Sequence, residues 1–246
     1  MDLELEGRTA LVIGASSGLG LASAEALREE GANIVMFARR EELLRREAAR
    51  LGATAVVGDV HDHDALEHAV ETAVRTHGGL DVVVLNGGGP PPGAASEVSA
   101  ESIQAAVELL LRPVVTLVNA AVPHLRESGQ GRIVSISSTS VREPIRNLAL
   151  SNAVRPGVWG YLKTLADELA AAAITINAVG PGRIATARMI ELYGGEPPQA
   201  QLDAIPLGRL GTPREVGDVV CFLASRQASY LNGVLIPVDG GLSRSL

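Results

Sequence analysis

Seven short apolar runs punctuate the chain at near-regular intervals, and a helical pattern fills most of the gaps between them. The runs are 10–13 (ALVI), 33–37 (NIVMF), 54–57 (TAVV), 82–85 (VVVL), 133–136 (IVSI), 174–176 (ITI) and 234–238 (VLIPV). Most are continuous rather than alternating, the signature of strands buried on both faces. A helix predicted over 21–30 stops at Gly31, one over Glu41–Leu51 stops at Gly52, and one opens at Asp64 with Glu67 three residues on. Longer helices are predicted over 100–126 and 159–173. Strand alternating with helix predicts an α/β fold, a parallel sheet of about seven strands with helices on both faces. No repeat or linker divides the chain, so residues 1–246 are read as one domain. The glycines and prolines between Tyr193 and Pro206 predict a mobile excursion around 187–208.

Composition narrows the function classes. Aromatics are only 2% of the 246 residues, so a core must be built from Ala, Val, Leu and Ile. A net charge of -7 with no basic block argues against nucleic-acid and anionic-membrane partners. The lone Cys221 excludes an intramolecular disulfide and cysteine-rich metal sites, and is expected to be a core thiol. No metal is expected: His61, His63 and His68 read as a solvated loop and helix start. The first apolar run has no basic segment before it, and no apolar stretch reaches membrane-spanning length. A soluble cytoplasmic protein is the expectation.

The segment Gly14-Ala15-Ser16-Ser17-Gly18-Leu19-Gly20 follows the first strand and opens the first helix. In that setting glycines let the backbone turn sharply, and the helix start offers free N–H groups to a pyrophosphate. The second strand ends in Ala38-Arg39-Arg40, with no carboxylate to receive a ribose 2′-hydroxyl. Arg39 is therefore read as a grip on a 2′-phosphate, which favours NADP(H) over NAD(H). The plainer alternative is that both arginines merely start the solvated helix that follows.

Taken together with Gly58-Asp59-Val60, Asn86-Gly87-Gly88-Gly89, the run 131–138 (GRIVSISS), the run 181–186 (PGRIAT), the run 209–216 (RLGTPREV) and Val238-Asp239-Gly240-Gly241, the glycine turn resembles the short-chain dehydrogenase/reductase family. Within it, the 3-oxoacyl-[acyl-carrier-protein] reductase branch is the nearest likeness, over almost the whole chain. The resemblance implies a Rossmann-type fold. It implies a cofactor held by Gly14, Ser16, Ser17, Gly18, Leu19 and Gly20, with Asp59 and Val60 at the adenine. Asn86 and Gly87 would stand at the middle strand, and Pro181, Gly182, Ile184 and Thr186 at the nicotinamide amide. Ser138 would hydrogen-bond the substrate carbonyl. A homotetramer or dimer is the family's usual assembly.

The chain departs from the family at the chemistry. The tyrosine position falls on Ser151, the lysine four residues later on Arg155, and the relay asparagine on Leu110. Realignment does not restore the motif, because the one lysine, Lys163, has no tyrosine four residues before it. Tyr161 reads as a packing residue, and Tyr193 is a candidate donor from the late loop. Serine does not normally titrate, and arginine keeps its proton, so neither replaces the tyrosine's acidity. Arg155 retains a positive charge for the cofactor ribose or a developing oxyanion. Pro156 predicts that the helix starts later or bends, which would move Arg155. Two functions follow: an NADP(H)-dependent carbonyl reductase or alcohol dehydrogenase, on a small carbonyl compound, alcohol or acyl thioester, with Ser138, Ser151 and Arg155 as its catalytic set; or a nucleotide-binding homologue with little redox turnover, acting as sensor or partner subunit.

Overall fold

The computed structural model describes residues 1–195 and 197–245, with the side chains of 191–193 also outside the described set. Each apolar run becomes a strand: β1 (Thr9–Ile13), β2 (Asn33–Ala38), β3 (Thr54–Val57), β4 (Val82–Leu85), β5 (Arg132–Ile136), β6 (Thr175–Pro181) and β7 (Leu235–Val238). They form one sheet in the order β3-β2-β1-β4-β5-β6-β7, every neighbouring pair parallel. This is the Rossmann-type arrangement. The chain builds outward from β1 to β3, then returns to pair β4 with β1, Ala10 standing opposite both Ile34 and Val82. That reversal opens a crevice beyond the carboxyl ends of β1 and β4, where ligands bind in folds of this kind.

The continuous apolar runs are explained by two cores, one on each face. Leu11 and Ile13 point to a core shared with α3 (His63–His77), α4 (Ala100–Leu110), α5 (Arg112–Ser128) and α6 (Ala149–Glu168). Ala10 and Val12 point to the other, shared with α1 (Gly18–Glu29), α2 (Glu41–Leu51) and α9 (Pro213–Ala224). Cys221 lies in the second core with its Sγ 3.5 Å from the Ala26 carbonyl oxygen, and burial pushes its thiol up to about 12.

Several boundaries differ from the sequence reading. α1 starts inside the glycine segment, at Gly18. α3 is capped by Asp62, whose carboxylate accepts from the Ala65 N–H at 3.1 Å; Asp64 is already in the first turn and caps nothing. The long helix expected over 100–126 breaks at Leu111, because Pro113 lacks the N–H that would continue the ladder. α6 begins at Ala149, not at 159, and runs through Pro156 without starting late. It stops at Glu168, and a short 3-10 turn over Ala170–Ala172 precedes β6. Within 187–208 the structure has two short helices, α7 (Ala187–Tyr193) and α8 (Gln199–Asp203).

Candidate active site and cofactor cradle

The glycine turn sits at the crevice and closes on Asn86. Gly14 and Gly18 take φ of +65° and +59°, a region side chains rarely enter. A Cβ on Gly14 would stand 2.6 Å from Asn86 Nδ2, and one on Gly20 would collide with the Gly14 carbonyl oxygen. Asn86 Nδ2 in turn donates to that oxygen at 3.4 Å, tying the end of β4 to the turn. Ser17 precedes α1 without a side-chain cap, and the first turn of α1 carries no acidic residue. The helix start therefore keeps its N–H groups and positive dipole end for an anion, so these residues fit a dinucleotide pyrophosphate.

Arg40, rather than Arg39, reaches this turn. Its Nη2 donates to Ser16 Oγ at 3.2 Å and to Ser17 Oγ at 2.5 Å. The Arg39 side chain is 74% exposed, and its Nη1 lies 3.5 Å from Asp59 Oδ2. Asp59 Oδ1 accepts from the His61 backbone N–H at 3.0 Å and stands 2.6 Å from His61 Nδ1. The backbone bond, then the His61 ring and Arg39, hold the Asp59 carboxyl below the usual range.

Across the crevice, beyond β5, three serines and an arginine form a hydrogen-bonded chain. Ser138 caps a short 3-10 turn (Thr139–Val141), its Oγ accepting from the Ser140 N–H at 3.1 Å. Ser140 is buried, and its Oγ lies 3.3 Å from Ser151 Oγ. Ser151, only 6% exposed, accepts from Arg155 Nε at 3.1 Å. Arg155 donates further to the carbonyls of Ser137 (3.4 Å) and Gly88 (3.3 Å), so one guanidinium joins α6, the end of β5 and the loop after β4. Desolvation, and after it the charge of Arg188, pulls the Arg155 pKa down to about 10. It remains a cation at neutral pH.

Leu110 is buried beside this chain. With Leu109, Pro113 and Val114 it walls a cavity of about 50 Å³ that also touches Asn86, Ser137 and Arg155. The space would admit water, but this wall offers no hydrogen-bond partner.

The segment after β6 closes the far side. The Gly182 N–H donates to the Val238 carbonyl at 3.0 Å, and a Cβ there would stand 2.8 Å from Asp239 Cα. Ile184 is buried, and Thr186 Oγ1 accepts from the Met189 N–H at 3.3 Å at the start of α7. From α7, Arg188 donates to the Pro90 carbonyl at 3.2 Å.

The structure thus gathers Ser138, Ser151 and Arg155, and separates Ser138 from Ser151 by Ser140, which the sequence reading missed. Its only sequence signal was its position two residues after Ser138. Arg188 was also missed; it follows Thr186 by two. Tyr161 is half-buried against the α3–α6 core, where burial raises its pKa. Lys163 donates to the Gly233 carbonyl instead of entering the site. The Tyr193 side chain lies outside the described residues.

A doubly wound parallel sheet whose first strand turns through glycines into an uncapped helix defines a dinucleotide-binding α/β protein. Residues 14–243 match the family model described as enoyl-(acyl carrier protein) reductase. The chain is 35% identical over 247 residues to the 3-oxoacyl-[acyl-carrier-protein] reductase FabG of Thermotoga maritima, covering 98% of this chain and 99% of that protein. Among solved structures it is similar to an NADPH-bound short-chain oxidoreductase from Pseudomonas aeruginosa PAO1 said to contain an atypical catalytic center (31% identity, TM-score 0.91, 97% of this chain and 98% of that one). It is similar too to the 3-ketoacyl-(acyl-carrier-protein) reductase from Brucella melitensis complexed with NADH (34% identity, TM-score 0.90, 98% and 100%). The chain belongs to the short-chain dehydrogenase/reductase family of oxidoreductases.

Proposed function

We propose that this chain is an NADP(H)-dependent oxidoreductase that interconverts a small carbonyl compound, or an acyl thioester's 3-oxo group, with the alcohol. In this reading Ser138, Ser151 and Arg155 are its catalytic residues. The observation that carries the reading is the bond from Arg155 Nε to Ser151 Oγ. It occupies the serine oxygen as an acceptor from a cation, which makes the hydroxyl a stronger donor. Ser138 keeps its own hydroxyl proton as well, because its oxygen accepts from Ser140 N–H. Two hydroxyl donors and a fixed positive charge then face a carbonyl oxygen as it gains charge.

When bound, the nicotinamide supplies the hydride for reduction or receives it in the reverse direction. The chain's own task is to hold the carbonyl and stabilise its oxygen. Neither Ser151 nor Arg155 gives up a proton at neutral pH, so the proton for the product alcohol comes from water. Without a tuned acid the site forgoes a factor of about 10²–10⁴. Preference for the phosphorylated nucleotide rests on Arg40 at Ser16 and Ser17, with Arg39 free to swing from its exposed position. Asp59 and Val60 at the adenine, Asn86 and Gly87 at the middle of the crevice, and Pro181, Gly182, Ile184 and Thr186 at the amide complete the proposed cradle. A soluble cytoplasmic homo-oligomer, tetramer or dimer, completes the proposal; light scattering of the purified protein measures the assembly.

A second reading, nucleotide binding without turnover, is favoured by the burial of Ser151 and by the apolar wall at Leu110. Fluorescence titration with NADPH and with NADH, followed by NADPH oxidation with ketones and 3-oxoacyl thioesters, separates the two. Turnover on any of these supports the reductase; tight binding with no turnover supports the second reading; no binding ends both.

A further inference from the structure

Two guanidinium groups converge on one short loop. Arg155 of α6 donates Nη2 to the Gly88 carbonyl, and Arg188 of α7 donates Nη2 to the Pro90 carbonyl two residues on. The residue between is Gly89, where a Cβ would stand 2.5 Å from Arg188 Nη2. With no side chain at Gly89, the Arg188 head lies close against the loop. The two heads are near enough that the Arg188 charge is one of the two causes depressing the Arg155 pKa.

Among the described residues neither charge is neutralised. Among the described residues no carboxylate lies within 4 Å of either head; the ion pairs of this chain use other arginines, such as Arg8, Arg50, Arg209 and Arg214. Carboxylates are not scarce in a chain of net charge -7. The carbonyls satisfy some N–H groups but leave both positive charges unbalanced, and each guanidinium has donors beyond those bonds. Two like charges side by side, one on the half-buried Arg155 and one on the exposed Arg188, repel each other and favour an anion that joins them. The glycine turn and Arg40 already provide for the nucleotide's phosphates on the other side of the crevice.

We infer that Arg155 and Arg188 form the seat for a substrate carboxylate. The substrate class is then an oxo acid, or the matching hydroxy acid, whose carbonyl lies by Ser138 and Ser151. A planar carboxylate matches the forked donors of a guanidinium. This inference rests on the reductase reading for the carbonyl chemistry, but the anion seat itself is formed by the chain alone.

The test uses acetoacetate and its uncharged counterpart 2,4-pentanedione as probes, titrated calorimetrically into protein saturated with NADP⁺. The oxidised nucleotide prevents turnover. Acetoacetate is expected to bind about tenfold tighter or better, with a preference that shrinks as salt is raised. Arg188→Ala is expected to erase the preference, Arg188→Lys to keep part of it, and both to bind NADP⁺ as the parent does. Arg188 is exposed, so neither change threatens folding, and a thermal melt checks this. Equal or undetectable binding of the two probes overturns the inference. So does a loss in Arg188→Ala that falls on NADP⁺ rather than on acetoacetate, which would assign Arg188 to the nucleotide. The same titrations without nucleotide separate the two levels. If NADP⁺ fails to bind the parent protein, the reductase reading falls, while the probe preference still decides the anion seat.

Discussion

Arg155 stands one helical turn beyond Ser151 on α6 and donates its Nε to the serine oxygen at 3.1 Å. The spacing puts both side chains on one helix face, and the bond between them forms although Pro156, inside α6, takes one N–H out of the helical ladder. The pair therefore occupies the crevice as a unit. If it stands in for the family's tyrosine and lysine, restoring those residues is the direct test. Ser151→Tyr with Arg155→Lys is expected to raise NADPH-dependent reduction by about 10²-fold, the scale of general acid catalysis. Ser151→Ala is expected to lower the parent rate while leaving NADPH affinity within about twofold, since the lost group meets the substrate and not the phosphates. A folded double variant that binds NADPH and gains nothing would count against the correspondence.

Arg40 and Arg39 separate the same way. Arg40 is the residue on Ser16 and Ser17, whereas Arg39 leans on Asp59 from solvent. Arg40→Ala is expected to weaken NADPH binding by about tenfold or more and NADH binding far less, the loss expected of a charge-assisted phosphate contact. Arg39→Ala is expected to have the smaller effect. Fluorescence titrations of both nucleotides read the ratio directly, and an unchanged preference in Arg40→Ala would remove the structural basis for NADP(H).

The sheet was legible because strands buried on both faces must be apolar throughout. Runs such as Val82 to Leu85 admit few other readings. The glycine turn was legible for a similar reason: only glycine fits where Asn86 and the turn's own carbonyl leave no room. What the sequence hid depends on side-chain direction in three dimensions. Successive residues at a strand end point different ways, so Arg39 and Arg40 could not be ranked before the exit of the chain from β2 was known. Ser140 joins Ser138 to Ser151 across a gap of 11 residues, a contact no local pattern encodes. The break at Leu111 was within reach, since Pro113 signals a helix start, but apolar periodicity on both sides masked it.

Gly20 offers a test of the cradle that leaves the catalytic pair untouched. A methyl group there would meet the Gly14 carbonyl and Asn86 Nδ2 together, so the turn must open to accept it. Gly20→Ala is expected to cost about 1–3 kcal/mol in stability, the usual cost of overpacking, and to abolish measurable NADPH binding. Denaturant unfolding and nucleotide titration report the two effects separately. Normal affinity in Gly20→Ala would show that the turn does not hold the phosphates.

The pH profile distinguishes a serine–arginine site from a tyrosine–lysine one. Serine does not ionise in the working range, and Arg155 loses its proton only near its depressed value of about 10. Reduction is therefore expected to be flat from about pH 6 to 9 and to fall as pH rises through about 10, when the charge facing the carbonyl oxygen disappears. Stability runs the other way in that window. The folded chain holds the Arg155 proton less tightly than the unfolded chain does, so between about 10 and the ordinary arginine value the unfolded state binds more protons, and this group's contribution to stability rises with pH. The Ser151→Tyr, Arg155→Lys variant is expected to show an ionisation at lower pH, because a cation four residues away draws the phenol down. Rates and unfolding midpoints measured across the same buffers test both signs, and a parent rate that titrates near neutrality would point to a different acid in the site.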